Sequence, residues 1–132
     1  MTENFLPLSG LGQIADDYDA ILCDVWGVIH NGRQPFQAAC EALERFRDRG
    51  PVILITNSPQ PSVSIPATFL QIGVPGEFWD AIVTSGDATI DELARRAPGP
   101  AFKIGPERDD PCLLYTSPSP RDRTRSRMPS SA

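Results

Sequence analysis

The sequence has 132 residues, 40% of them hydrophobic, and a formal net charge of −5; this length and apolar content predict one domain with a single core. No apolar run approaches the roughly 18 residues that span a membrane, and an acidic chain without a basic face is a poor nucleic-acid binder. Three cysteines without a CxxC pair argue against a disulfide framework or zinc site, so we expect a cytoplasmic protein with neither a membrane nor a nucleic-acid partner.

The first predicted strand covers residues 18–25. Residues 20–23, AILC, are apolar without interruption, which is typical of a strand covered on both faces. A helix is predicted over residues 35–49, because apolar residues recur there at helical spacing. Pro35 suits its first turn, arginines crowd its last turn, and Gly50 can close it.

The second strand is predicted at residues 51–56, PVILIT, a buried-strand pattern that ends on polar residues. A weaker helix follows within residues 60–72. Two prolines limit it, so residues 66–72 are its best stretch, and Gly73 stops it.

A third strand is predicted at residues 81–84. Ser85 is a plausible N-cap of the next helix, which has Asp87 in its first turn and reaches Ala97. Residues 101–105, AFKIG, are a fourth strand candidate. Strands that alternate with helices through short links indicate an α/β fold, in which a parallel sheet has flanking helices and right-handed crossovers.

The last 21 residues, 112–132, differ from the rest in composition. They carry four arginines and one aspartate among serines and prolines, a composition typical of a basic disordered tail. Residues 112–122 and 126–132 also resemble, more specifically, the translated ends of a transposase-type sequencing adapter. We therefore expect the authentic sequence to stop near Pro111.

Polar residues stand at the end of three predicted strands: Asp24, then Thr56 with Asn57, then 84–86 (TSG). In parallel sheets, ligands bind beyond the carboxyl ends of the strands. A carboxylate can act as nucleophile or hold a hard cation, and hydroxyl, amide and N–H groups can bind phosphate oxygens. Each residue alone could merely cap or turn the chain, but three at corresponding positions favour a site. No GxGxxG or P-loop motif is present.

These residues resemble a known family. DVWGVIHNG, residues 24–32, looks like motif I of the haloacid dehalogenase superfamily, and ILITNSP, residues 53–59, looks like its motif II. Their spacing, with VTSGDAT and FKIG further on, is similar to subclass IIA and to a subgroup that has tryptophan two residues after the aspartate. The resemblance covers about residues 5–110. It implies a Rossmann-like core and a magnesium-dependent, phosphatase-like hydrolase that acts on a small phosphorylated metabolite.

The resemblance also implies roles for single residues. Asp24 would be the nucleophile, forming an aspartyl-phosphate, and a Mg²⁺ ligand, and the Trp26 carbonyl would be a second ligand. Thr56, assisted by Asn57, would bind the phosphoryl group. The hairpin turn after Trp26, here called the flap, would gate the site and contains Gly27, His30 and Gly32.

Trp26 departs from the superfamily pattern, because phosphatases of this kind usually have a second aspartate there that protonates the leaving oxygen. Loss of such help costs about 10²–10⁴-fold in rate, so we expect weak activity that prefers aryl or acyl phosphates. His30, the only histidine, could supply the missing acid or base, but a structural or substrate-contacting role is the favoured interpretation. Cys23 is expected to pack in the core.

The family's basic motif III, its acidic motif IV and its cap would all follow residue 111. Residues 1–111 are therefore expected to form only the N-terminal half of the core, and Lys103 is a poor substitute for the missing basic residue. We expect the 132-residue chain itself to be inactive. The alternatives are a non-catalytic protein that binds phosphorylated ligands and, if the tail is genuine, a structural protein with a basic interaction tail. The sequence predicts no oligomeric state.

Overall fold

The computed structural model describes residues 7–99 together with Phe102 and Ile104. Within this part of the chain, three strands alternate with three α-helices. In chain order they are β1 (Ile21–Asp24), α1 (Gln37–Phe46), β2 (Val52–Thr56), α2 (Ile65–Gln71), β3 (Ala81–Thr84) and α3 (Ser85–Arg96). Short 3-10 turns lie at Leu11–Gln13, Ala15–Asp17 and Ser62–Ser64.

The strands form one parallel sheet in the order β1-β2-β3. Asp24 of β1 pairs with Ile55 of β2, and Thr56 of β2 pairs with Thr84 of β3. All three carboxyl ends therefore meet at one edge of the sheet. The predicted α/β fold with a parallel, Rossmann-like sheet and flanking helices is confirmed.

The two faces of this sheet differ in burial. One face, called here the inner face, is packed against α1 and α2. The core includes its strand residues Cys23, Val52 and Leu54 together with the helix residues Cys40, Leu43, Phe46, Ile65 and Phe69. The opposite face, called the open face, carries Leu22, Ile55 and Val83, which are 65%, 42% and 48% exposed. Among the described residues, β1 is therefore buried on the inner face at Cys23 and exposed on the open face at Leu22, so the expected cover on both faces is not seen in this part of the chain.

Helix α1 begins at Gln37, two residues later than the predicted start at Pro35. The reason lies in the preceding chain: Pro35 forms an isolated bridge with His30, and the Phe36 N–H donates to the Ile29 carbonyl at 2.8 Å. These bonds hold residues 35 and 36 in extended conformation against the flap. Proline at a first helical turn is only a propensity, and a tertiary contact overrides it here.

The N-cap of α3 is Thr84 and not Ser85. The Thr84 hydroxyl oxygen accepts the Asp87 N–H at 2.9 Å, while Ser85 is already the first helical residue. Both residue types suit an N-cap, so composition did not discriminate between them. The cap is almost fully buried, since Thr84 is 1% exposed.

An ion pair ties α1 to the amino ends of the strands. Arg47 donates to Asp80 Oδ1 from Nη2 at 2.9 Å and from Nε at 3.2 Å, and Asp80 Oδ2 accepts the Val52 N–H at 2.8 Å. Arg47 also donates to the Glu77 carbonyl at 2.9 Å. The Val52 N–H, followed by Arg47, lowers the pKa of the Asp80 carboxyl below its ordinary value. We call this group the Arg47–Asp80 clamp.

Three earlier predictions lie outside the described residues: the fourth strand at 101–105, apart from Phe102 and Ile104, the position of Lys103, and the tail at 112–132. No helix among the residues described is long and apolar enough to cross a membrane.

Candidate functional site

The carboxyl edge of the sheet collects the polar residues predicted from the sequence. Asp24 ends β1, Thr56 ends β2 and Thr84 ends β3, and neighbouring strands lie about 4.8 Å apart. Asn57 follows Thr56 and is exposed. The edge therefore carries a carboxylate, a buried hydroxyl and an exposed amide at the ends of two neighbouring strands.

Asp24 is the exposed carboxylate of this edge. Its Oδ1 accepts the Val25 N–H at 2.8 Å, a bond that fixes the direction of the side chain. Within the described part of the chain, no donor is recorded for Oδ2. One oxygen is thus held, and with respect to residues 7–99 the other could meet a cation or an electrophile.

The two threonine hydroxyls have different surroundings. Thr84 is occupied as the cap of α3, so the interpretation of this residue as a structural cap holds. Thr56 is 7% exposed, and its Oγ1 accepts the Ser58 N–H at 3.2 Å. That bond uses an oxygen lone pair and leaves the hydroxyl proton, which a phosphate oxygen could accept.

The loop after β2 is pressed against the start of α3. The Gly86 N–H donates to the Ser58 carbonyl at 3.0 Å, and a Cβ at Gly86 would lie 2.3 Å from the Pro59 carbonyl oxygen. Only glycine permits this approach. Gly86 therefore positions the loop that follows Thr56, which is a structural reason for the glycine in the TSG sequence.

The flap is a tight turn rooted in the core. Val25 and Ile29 are buried at 4% and 0% exposure, and the Val25 carbonyl accepts the Ile29 N–H at 2.9 Å. Gly27 and Gly32 have φ of +81° and +83°, a region that glycine occupies at little cost. Both glycines, which the family resemblance places in the flap, therefore suit the tight backbone of this turn.

His30 is buried in the flap, 7% exposed. Its Nδ1 accepts the Gly32 N–H at 3.0 Å, and its ring makes edge contacts with Trp26 at 5.5 Å and with Phe69 at 5.8 Å between centroids. Burial lowers the pKa of the imidazole. Since an accepting Nδ1 requires the neutral ring, these surroundings favour the structural interpretation of His30 over an acid–base role.

A row of aromatic contacts extends from the flap into the core, and sequence reasoning did not find it. Phe69 of α2 meets the Trp79 ring at 5.3 Å, and Trp79 meets Phe78 at 5.0 Å. These residues share no spacing with the flap, so no local pattern could have linked them. The row anchors His30, and through it the flap, to α2 and to the chain before β3.

The described residues fit a metal ion only in part. Within residues 7–99, no group of three His, Cys, Asp or Glu side chains is placed to hold one. Mg²⁺ commonly takes one or two carboxylates and keeps several waters, so Asp24 with the Trp26 carbonyl is compatible but incomplete. Cys23 is not a ligand candidate, because burial raises the pKa of its thiol to about 11 and it packs in the core as predicted.

Comparison with known proteins gives two kinds of match. A family model described as haloacid dehalogenase-like hydrolase matches residues 21–115. A haloacid dehalogenase-like hydrolase from Brucella suis 1330 is 46% identical with a TM-score of 0.69, over 84% of this chain and 41% of that structure. A glycerol phosphate phosphatase from Mycobacterium tuberculosis, solved with calcium, is 26% identical with a TM-score of 0.53, over 78% of this chain and 30% of that structure. Curated proteins gave no match. The chain thus spans well under half the length of either solved structure.

Proposed function

The chain belongs to the haloacid dehalogenase-like hydrolases, and on that premise we propose that it carries the N-terminal part of the active site of a magnesium-dependent phosphatase. The substrate would be a small phosphorylated metabolite, and the setting would be the cytoplasm. The observation that carries the proposal is the position of Asp24, which is exposed at the carboxyl end of β1, next to the strand that ends on Thr56, with its Oδ1 held by the Val25 N–H.

In the proposed reaction, Asp24 Oδ2 attacks phosphorus while the bond from phosphorus to the leaving oxygen breaks. The leaving oxygen takes the electron pair of that bond and a proton from water. Water then attacks the aspartyl-phosphate, releasing inorganic phosphate and restoring the Asp24 carboxylate. The Thr56 hydroxyl would donate to a phosphoryl oxygen, with the Asn57 amide as a second donor.

The Asp24 carboxylate and the Trp26 carbonyl would contribute oxygen ligands to Mg²⁺, which when bound would supply positive charge to offset the phosphate and the nucleophile. The calcium in the mycobacterial structure supports a divalent cation for the family fold. The further ligands, a basic residue for the phosphate, and the cap would lie in the length of the family fold that this chain does not cover. We therefore expect no turnover from the 132-residue chain alone.

Trp26 sets the expected substrate preference. An indole can neither protonate a leaving oxygen nor activate water, and general acid–base help is worth about 10²–10⁴-fold. Alkyl phosphates depend on that help most, because an alkoxide is a poor leaving group. The enzyme should accordingly favour aryl or acyl phosphates.

A chimera tests the proposal directly. Residues 1–111 would be joined to the part of the Brucella hydrolase that has no counterpart in this chain, and phosphate release from 4-nitrophenyl phosphate and glycerol 3-phosphate would be measured with and without magnesium. We expect magnesium-dependent hydrolysis of the aryl ester, and only background hydrolysis after Asp24→Asn. The matched control is Asp19→Asn, which changes an exposed acid outside the site.

Trp26→Asp in the same chimera should raise hydrolysis of the alkyl ester by about 10²–10⁴-fold. Turnover that survives Asp24→Asn would eliminate Asp24 as nucleophile. Hydrolysis of glycerol 3-phosphate as fast as the aryl ester, with Trp26 intact, would contradict the leaving-group argument.

The second candidate is a non-catalytic protein that binds phosphorylated ligands, and Trp26 itself favours it, since the side chain replaces a proton donor. This alternative predicts that the chimera binds inorganic phosphate in ³¹P NMR titrations but releases none from either ester. It also predicts no gain of hydrolysis in Trp26→Asp.

A further inference from the structure

The Trp26 side chain is unusual in being both exposed and fixed. It is 62% exposed, although its neighbour Val25 and the nearby Ile29 are buried. A single exposed apolar side chain needs no explanation by itself. The Trp26 ring differs from such a side chain because contacts with neighbouring residues hold it in place.

Gly32 provides the seat of the indole. A Cβ at Gly32 would lie 2.7 Å from Cη2 and 2.9 Å from Cζ3 of Trp26, so the six-membered ring rests directly against the Gly32 backbone. Any other residue would displace the ring, besides being strained at the positive φ of this position. The turn that forms the flap therefore also makes room for the indole.

His30 holds the ring from a second direction. The two ring planes meet at 83° with centroids 5.5 Å apart, and His30 is itself fixed by the Gly32 N–H and by Phe69. The backbone adds a bridge between residues 26 and 30. The indole is thus positioned before any ligand arrives, and a positioned group loses little conformational entropy on binding.

Trp26 follows the proposed nucleophile Asp24 by two residues, and Val25 between them is buried whereas Asp24 and Trp26 are both exposed. The indole therefore belongs to the same short exposed segment of the chain as the carboxylate. A phosphate ester attacked by Asp24 would have its leaving group in this neighbourhood. The exposed part of the indole is an apolar, aromatic surface, which suits a planar aromatic group better than a polar alcohol.

We propose that the Trp26 indole is a stacking platform for the leaving group of the substrate, which makes a phosphate monoester of a planar aromatic group the preferred substrate class. This inference rests on the proposed phosphatase function. It is separate from the leaving-group argument above, because it concerns binding affinity and not the rate of bond cleavage. An aromatic contact of this kind should raise affinity by about 2- to 10-fold.

The test uses the 132-residue chain and two probes of equal charge, phenyl phosphate and methyl phosphate, in the presence of magnesium. Binding is measured by ³¹P NMR titration. The chain has two tryptophans, so Trp79→Phe leaves Trp26 as the single tryptophan fluorophore and adds a local readout. Trp26→Leu removes the platform, Trp26→Phe retains an aromatic face, and Tyr18→Leu removes an aromatic that is similarly exposed, at 59%.

We expect phenyl phosphate to bind about 2- to 10-fold more tightly than methyl phosphate and to quench Trp26 fluorescence. Trp26→Leu should abolish the preference, Trp26→Phe should keep most of it, and Tyr18→Leu should not change it. Equal affinity of the two probes, or a preference that survives Trp26→Leu, would overturn the platform and leave the phosphoryl site standing.

Thr56→Val distinguishes failure of the phosphoryl site from failure of the Trp26 platform, because it is expected to weaken the binding of both probes by the same factor. If neither probe binds to the 132-residue chain or to the chimera, or if Thr56→Val leaves both affinities unchanged, the phosphoryl site itself fails and the platform fails with it. Quenching by phenol as strong as by phenyl phosphate would also overturn the platform, since it would show aromatic binding that is independent of the phosphate.

Discussion

The two faces of the sheet are built from similar residues but have opposite surroundings. Leu54 and Ile55 are neighbours on β2, and Leu54 is fully buried on the inner face while Ile55 is 42% exposed on the open face. Isolated exposed apolar residues are common on proteins, but here Leu22, Ile55 and Val83 come from three adjacent strands and share one face. The apolar residues on the open face are typical of a sheet face that is covered by another part of a protein.

The difference shows what a strand pattern can and cannot predict. A continuous apolar run indicates that both faces suit burial, but it does not say which part of a chain supplies the cover. The helices that cover the inner face, α1 and α2, lie within residues 37–71. This chain spans 41% of the Brucella structure, and we expect the open face to be covered by the length that lies outside that share.

The largest loss of unfolding free energy is expected from a substitution on the inner face. Leu54→Ala would open a cavity between the sheet and α1, and such truncations cost about 2–5 kcal/mol in unfolding free energy. The measurement is urea unfolding followed by far-UV circular dichroism at neutral pH. A loss below about 1 kcal/mol would mean that the inner face is loosely packed and would break the contrast between the two faces.

A smaller loss of stability is expected when the Arg47–Asp80 clamp, which holds α1 over the inner face, loses the charge of Asp80. The pKa of Asp80 is lowered in the folded state, so its contribution to stability is present above the ordinary value of 3.8 and is lost as the pH falls through the folded-state pKa. The Asp80 and Arg47 side chains are 39% and 37% exposed, so solvent screens the pair and its effect should be modest.

The corresponding measurement is the urea midpoint of the native chain and of Asp80→Asn between pH 7 and pH 2. We expect the native chain to be the more stable at neutral pH, and the difference to shrink as the pH falls below 3.8. A difference that is constant over this range would show that the carboxylate charge does not contribute. Asp19→Asn serves as the control for a simple change of net charge.

The sequence predicted the regular elements well where local pattern decides them. The predicted bounds of the third strand, residues 81–84, agree with the structure, and those of the second differ by one residue. The first strand, predicted at residues 18–25, is shorter in the structure, at Ile21–Asp24. The start of α1 was misplaced because the bonds of Pro35 and Phe36 to the flap are tertiary contacts. The N-cap of α3 was misassigned by one residue because Thr84 and Ser85 are equally suitable in composition.

The candidate site was predictable at the level of the sheet edge, since polar residues after apolar runs indicate strand ends. The surroundings of His30 were not predictable, because Phe69 lies on a different element and reaches the flap only in the folded chain. The same holds for the seat of Trp26 on Gly32. A glycine in that sequence indicates a turn, whereas the close approach of an indole is visible only in three dimensions.

The smallest effect is expected on the open face, and one substitution made on both faces gives the sharpest test. Val83→Thr places a hydroxyl on the open face, where water can bind it, and should change the unfolding free energy by less than about 0.5 kcal/mol. Val52→Thr makes the same change at a position that is 0% exposed, where an unpaired hydroxyl costs about 1–3 kcal/mol. Both residues lie in strands and both side chains are β-branched, so strand propensity cancels.

The chimera extends this comparison to a longer chain. If the added length covers the open face, Val83→Thr should become as costly there as Val52→Thr, whereas in the 132-residue chain it stays nearly neutral. A cost at Val83 in the short chain would mean that the open face is already covered, for instance by a second copy. A neutral Val83→Thr in the chimera would mean that this face remains open in the longer protein, and its apolar character would then require another explanation.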